Sequence, residues 1–125
     1  MANGVCVYAI HHVQLAMPPA EEDQARAFFR DILGMEEVDK PPELARRGGV
    51  WFRSGHLELH LGVEQDFVPA AKAHPGILAD DLDAVRARLD AADWETEPDG
   101  TLPGFRRFYT TDCFGNRLEF LEPSE

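Results

Sequence analysis

Cysteine is scarce in this chain. Cys6 and Cys113 are its only two, too few and too unpatterned for a disulfide framework or a structural zinc site, so both are expected to be reduced structural residues. Positive charge is also in short supply. Twelve Lys and Arg stand against 23 Asp and Glu, for a formal net charge of −11. No basic cluster exceeds Arg46-Arg47 or Arg106-Arg107, and such a surface repels a phosphate backbone, which excludes nucleic acid as a partner. The acidity suits a cationic ligand, or more simply a solvated surface. Long apolar runs are missing too. Nothing approaches the roughly 18 consecutive apolar residues of a membrane span, and residues 1–8 lack the basic segment and apolar run of a secretory signal. The expectation is a cytoplasmic protein with no membrane partner. At 125 residues and 44% hydrophobic content the length fits a single domain, 1–125, so any internal duplication has to share one core.

What is present is a pattern that runs twice. Residues 9–17 (AIHHVQLAM) read as a strand broken by Pro18-Pro19. The acidic Glu21-Glu22-Asp23 then opens a helix with Ala25, Phe28, Phe29 and Ile32 at helical spacing, stopped at Gly34. Short strands follow at 35–38, 49–54 and 57–63, with 40–47 as a loop. After a linker at 64–73 the order recurs: strand 74–80, helix 81–92, then strands 94–96, 106–111 and 116–122. The last hairpin turns at 112–116 (DCFGN), where Gly115 and Asn116 tolerate positive φ. Module 1 is thus about 9–63 and module 2 about 74–122. The segment 99–104 (DGTLPG) is a loop long enough to move over a site.

Four potential metal ligands fall at matching places in the two copies. His12 lies near the start of module 1 and Glu58 in its last strand, 46 residues apart; His74 and Glu119 repeat this at 45. A duplicated module explains the match more simply than chance. Alternation along a strand puts His56, Glu58 and His60 on one face and Leu57, Leu59 and Leu61 on the other; likewise Leu118 and Phe120 turn away from Arg117, Glu119 and Leu121. The leucines would pack on the helices. The two carboxylates then point away from the helices, toward water, arginines or a cation. Two imidazoles and two carboxylates suit a borderline divalent ion such as zinc, nickel, cobalt, manganese or ferrous iron. Four protein ligands on an octahedral ion leave two positions for adjacent substrate oxygens, where the ion acts as a Lewis acid and Glu119 or Glu58 moves a proton. The plainer alternative for both glutamates is a solvent-facing strand position.

These residues resemble the vicinal-oxygen-chelate superfamily of glyoxalases, bleomycin resistance proteins and extradiol dioxygenases. The resemblance is carried by Ile10-His11-His12-Val13, Phe28-Phe29 before Leu33-Gly34-Met35, Leu57-Glu58-Leu59, and His74 six residues before Asp80-Asp81-Leu82-Asp83. Asp112-Cys113-Phe114-Gly115-Asn116 with Leu118-Glu119-Phe120 completes it. It implies an α+β fold of two tandem βαβββ modules, forming a cup-shaped mixed sheet with helices on the outer face, and usually a homodimer. It places the metal at His12, Glu58, His74 and Glu119, as in lactoylglutathione lyases. Departures are Cys113 where a proline is common, and Pro75 directly after His74. Gln14 and His60 share faces with His12 and Glu58 and are candidates for contacts behind the ligands or at the substrate wall. Trp51 is a candidate wall residue, and Arg53, with Arg106 and Arg107, a candidate for holding an anionic substrate. His11 and His56 read as surface histidines. Two functions follow as expectations: a glyoxalase-like metal-dependent lyase or isomerase acting on a small substrate with adjacent oxygens, or a non-catalytic, bleomycin-resistance-type antibiotic-binding protein.

Overall fold

In the computed structural model, which describes Gly4 and residues 6–124, the elements run in the expected repeated order. They are β1 (Val13–Met17), α1 (Glu22–Ala25) continuing as a π-helical segment (Arg26–Ile32), β2 (Glu36–Val38), α2 (Pro42–Ala45), β3 (Val50–Ser54), β4 (Leu57–Val63), β5 (Gly76–Leu78), α3 (Leu82–Ala91), β6 (Glu97–Asp99), β7 (Phe105–Thr111) and β8 (Arg117–Pro123). Met1 to Asn3 and Val5, part of the segment read for a secretory signal, lie outside the described residues.

Each module makes one four-stranded mixed sheet, in the orders β1-β4-β3-β2 and β5-β8-β7-β6. In both, the first strand runs parallel to the last, and the remaining neighbours are antiparallel. This follows from local chemistry. The β3–β4 hairpin closes over only two residues, Gly55 and His56, with Gly55 at φ 58°. A parallel partner for β4 instead needs a crossover, which the first helix supplies.

The alternating leucines and phenylalanines bury one face of each sheet. Leu59, Leu61, Leu118 and Phe120 join Phe28 and Phe29 from the first helix and Leu82 and Leu89 from α3 in one core shared by both modules. Two polar contacts lock the modules together there: the Arg88 guanidinium donates to the Ile32 carbonyl at 3.0 Å, and Asn116 Nδ2 to the Ala16 carbonyl at 2.8 Å. The opposite sheet faces are left open.

Several boundaries differ from expectation for identifiable reasons. The first strand begins at Val13 rather than residue 9, and β5 is confined to Gly76–Leu78, because Pro75 has no N–H to extend the ladder. The sixth strand forms at Glu97–Asp99 rather than 94–96: Trp94 packs on Phe28 at 5.0 Å and donates its indole N–H to the Thr111 carbonyl at 2.7 Å. The first helix widens into a π turn, where Leu33 N–H reaches the Phe28 carbonyl five residues back at 3.0 Å. Residues 42–45 of the expected loop form the short α2, with a proline at its first position. In the final turn only Gly115 takes positive φ.

Candidate functional site

The open face of module 1 carries a stack of three rings across three adjacent strands. Trp51 of β3 lies against His60 of β4 with centroids 3.9 Å apart, and His12, just ahead of β1, covers the other side of His60 at 4.2 Å. Ladder register explains the Trp51 contact, since Trp51 is directly opposite His60; on the other side Gln14 is directly opposite, and His12 reaches the ring from two residues earlier. His60 is 4% exposed, and its Nε2 has no hydrogen-bond partner. The nearest carboxylate oxygen, Glu58 Oε2, is 3.5 Å away, longer than an ordinary hydrogen bond. Burial lowers the pKa of His60, and the neighbouring His12 lowers it further against the opposing pull of Glu58. His11 reaches His12 through their Nδ1 atoms at 3.0 Å. Gln14 lies across Gly62, where a Cβ would stand 2.6 Å from its Nε2 and push the amide aside. A cavity of about 500 Å³ holds His11, His12, Gln14, Glu58 and His60, with Lys40 and Arg47 from the segment around α2 on its lip.

The open face of module 2 carries a charged cluster instead. His74 Nδ1 lies 2.8 Å from the Lys72 carbonyl oxygen and its Nε2 lies 2.9 Å from Glu119 Oε1. A carbonyl only accepts, so Nδ1 donates to Lys72, which fixes the ring with Nε2 against the Glu119 carboxylate. Arg107 donates to Glu119 Oε2 at 3.1 Å and also to Asp99 and Thr101. Glu119 is 7% exposed. Burial alone would raise its pKa, but His74 and Arg107 outweigh burial and hold it below the usual carboxylate range. Arg107 and Arg117 flank the Tyr109 ring at 5.2 and 4.3 Å.

Among the described residues no three His, Cys, Asp or Glu side chains within the chain are arranged so as to hold a metal ion. His12, Glu58 and His60 share one open face, and His74 and Glu119 share the other. Gln14 and Trp51 line the module 1 cavity with His12, Glu58 and His60. Arg53 does not: it pairs with Glu36 at 3.0 Å. Arg106 pairs with Asp83 and Glu122. His56 sits in the β3–β4 turn on a different, apolar cavity. Missed at the sequence level were Arg107 as the clamp on Glu119, Lys40 and Arg47 at the lip, and His11. Arg107 was accessible by parity: with Phe108 and Thr110 buried, Arg107 and Tyr109 must share the face of Glu119.

The model of the Glyoxalase/Bleomycin resistance protein/Dioxygenase superfamily matches residues 9–120. The chain belongs to this superfamily. A glyoxalase family protein from Bacillus anthracis is 45% identical, with 94% of this chain and 97% of that one covered and a TM-score of 0.91. Lactoylglutathione lyase from Agrobacterium tumefaciens is 28% identical over 94% and 96%, at 0.68. The fosfomycin resistance protein FosX from Listeria monocytogenes, solved with Mn(II) and 1S,2S-dihydroxypropylphosphonic acid, is 15% identical over 94% of each chain at 0.75, a likeness of fold. None of the curated proteins matches the chain. Members of the superfamily bind small molecules or antibiotics, and some use divalent metals.

Proposed function

We propose that this superfamily member is a glyoxalase-like, metal-dependent lyase or isomerase acting on a small substrate with adjacent oxygens. It would work as a homodimer in which module 1 of one copy faces module 2 of the other. The observation that carries this reading is the His74–Glu119 pair: an imidazole whose Nδ1 is fixed by a backbone carbonyl, so that Nε2 meets a clamped carboxylate on an open sheet face. Ligating histidines are oriented in this manner by an acceptor on their other nitrogen. His12 occupies the corresponding strand entrance of module 1, beside Glu58 and His60 of β4. A site built from both halves would offer His12, His74, Glu119 and a donor from β4, the expected one being Glu58. That nitrogen and oxygen set fits zinc, nickel, cobalt, manganese or ferrous iron.

A divalent ion there supplies electrophilic stabilisation of negative charge developing on the substrate oxygens. The chain's own residues do the rest. Arg107 holds Oε2 of Glu119 and leaves Oε1 to His74. Glu58, with a side chain 25% exposed, has an oxygen free to take or return a proton. The Trp51 stack walls the cavity, and Lys40 and Arg47 give its lip positive charge in an acidic protein. Cys6 and Cys113 are free thiols, which fits a cytoplasmic setting.

The three-ring stack also favours a second reading, a bleomycin-resistance-type antibiotic-binding protein. An aromatic stack lining an open cavity suits a planar compound held without any metal. Metal content of untagged protein, measured by plasma mass spectrometry after incubation with divalent metals, separates the two. The enzyme reading expects close to one transition metal per assembled site in wild type and its loss in Glu119→Gln. Absence of metal from both proteins favours the binder.

A further inference from the structure

The two halves of the site are related by the repeat, but the ladders align them differently from the sequence intervals. In module 1, Gln14 stands opposite His60; in module 2, Gly76 stands opposite Glu119. Gln14 and Gly76 are each two residues after the module's histidine, His12 or His74. Matching histidine to histidine therefore matches His60 to Glu119. It matches Glu58 to Arg117, since continuing the ladders puts those two beside His12 and His74. The antiparallel neighbours agree, with Trp51 opposite His60 and Tyr109 opposite Glu119.

Burial gives the same alignment independently. In β4 the fully buried run is Leu59, His60, Leu61; in β8 it is Leu118, Glu119, Phe120. Each run places one polar side chain at the centre of the open face, between two apolar ones turned to the core. Glu58 and Arg117, one step outside each run, are only partly covered. Contacts to the histidines repeat as well: His74 meets Glu119 at 2.9 Å, and His12 meets the His60 ring, not Glu58, at 4.2 Å.

We infer that His60, rather than Glu58, is the metal-facing donor of module 1, and that Glu58 stays off the metal as a free carboxylate beside it. This rests on the metal reading above. Its own support is the ladder alignment together with the unpartnered Nε2 of a side chain 4% exposed. A buried ring nitrogen without a partner carries a desolvation cost that a ligand would relieve. Trp51 and His12 cover both faces of the ring, so a donor contact reaches it only at the edge.

The test is Co(II) titration of metal-free protein, followed by visible absorption and by metal content after desalting, on wild type, His60→Phe, His60→Gln and Glu58→Gln. Phenylalanine keeps the ring stack and removes both nitrogens; glutamine keeps polarity without the imidazole. Both His60 variants are expected to lose affinity by more than the roughly 10- to 100-fold typical of outer partners, with an altered Co(II) spectrum, while Glu58→Gln keeps its metal and the wild-type spectrum. Wild-type affinity in His60→Phe, or metal loss in Glu58→Gln with His60→Phe intact, overturns the assignment while the metal reading stands. A wild type that binds no Co(II) overturns both.

Discussion

Single side chains in this protein owe their behaviour to what covers them. Cys113 shows this most simply. Burial, with Asp112 beside it adding negative charge, pushes its thiol up to about 12. Only the thiolate attacks an electrophile, so Cys113 is expected to react slowly at pH 8. Cys6 is exposed. Thiol titration with a chromogenic disulfide at pH 8 should count one rapidly reacting thiol in the folded protein and two after denaturation. Two fast thiols in the native state would show that the cover over Cys113 opens readily. His60 and Glu119 are governed by the same physics: burial lowers the pKa of the imidazole, whereas for the carboxylate Arg107 and His74 overcome the rise that burial alone would cause.

Among the elements, the turn at 112–116 does more than reverse the chain. Asp112 Oδ1 accepts from the Phe114 and Asn116 amides at 2.8 and 2.9 Å, and Asn116 Nδ2 bridges Asp112 Oδ2 and the Ala16 carbonyl of β1, each at 2.8 Å. Asn116→Ala strands a buried carboxylate oxygen and a strand carbonyl, and is expected to cost about 2 kcal/mol. In urea unfolding this reads as a lower midpoint at unchanged slope. An unchanged midpoint would mean that the link between turn and β1 contributes nothing. The sequence revealed this turn as a turn but not as a clamp, because Asn116 was credited with positive φ when its amide is what the fold uses. The same limit explains the other misses. Apolar spacing located the first helix, yet 3.6-residue periodicity cannot show a π turn that buries Phe28 and Phe29 side by side. Strand 94–96 failed because a tryptophan in an extended-looking run is equally a core plug. What was legible was periodicity and parity, which set the order of elements and the open faces. What was not legible was register. The near-equal intervals of 46 and 45 paired Glu58 with Glu119, whereas the ladders pair His60 with it.

For the molecule as a whole, one core holds the two modules together while their polar faces stay open, with His12, Glu58 and His60 on one and His74 and Glu119 on the other. A second copy that sets module 1 against module 2 would build two equivalent sites by symmetry, so each site would take residues from both chains. That arrangement makes a demand no single-chain site can meet. A His12→Ala subunit and a Glu119→Gln subunit each break both sites of their own homodimer. In a mixed dimer both lesions fall in one site and the other is intact. The decisive measurement is the metal content of such mixed dimers, isolated by two different removable tags cleaved off before the assay. The account predicts about one transition metal per mixed dimer and almost none in either parent. A mixed dimer as empty as its parents, beside a wild type that binds metal, would contradict a site shared between copies.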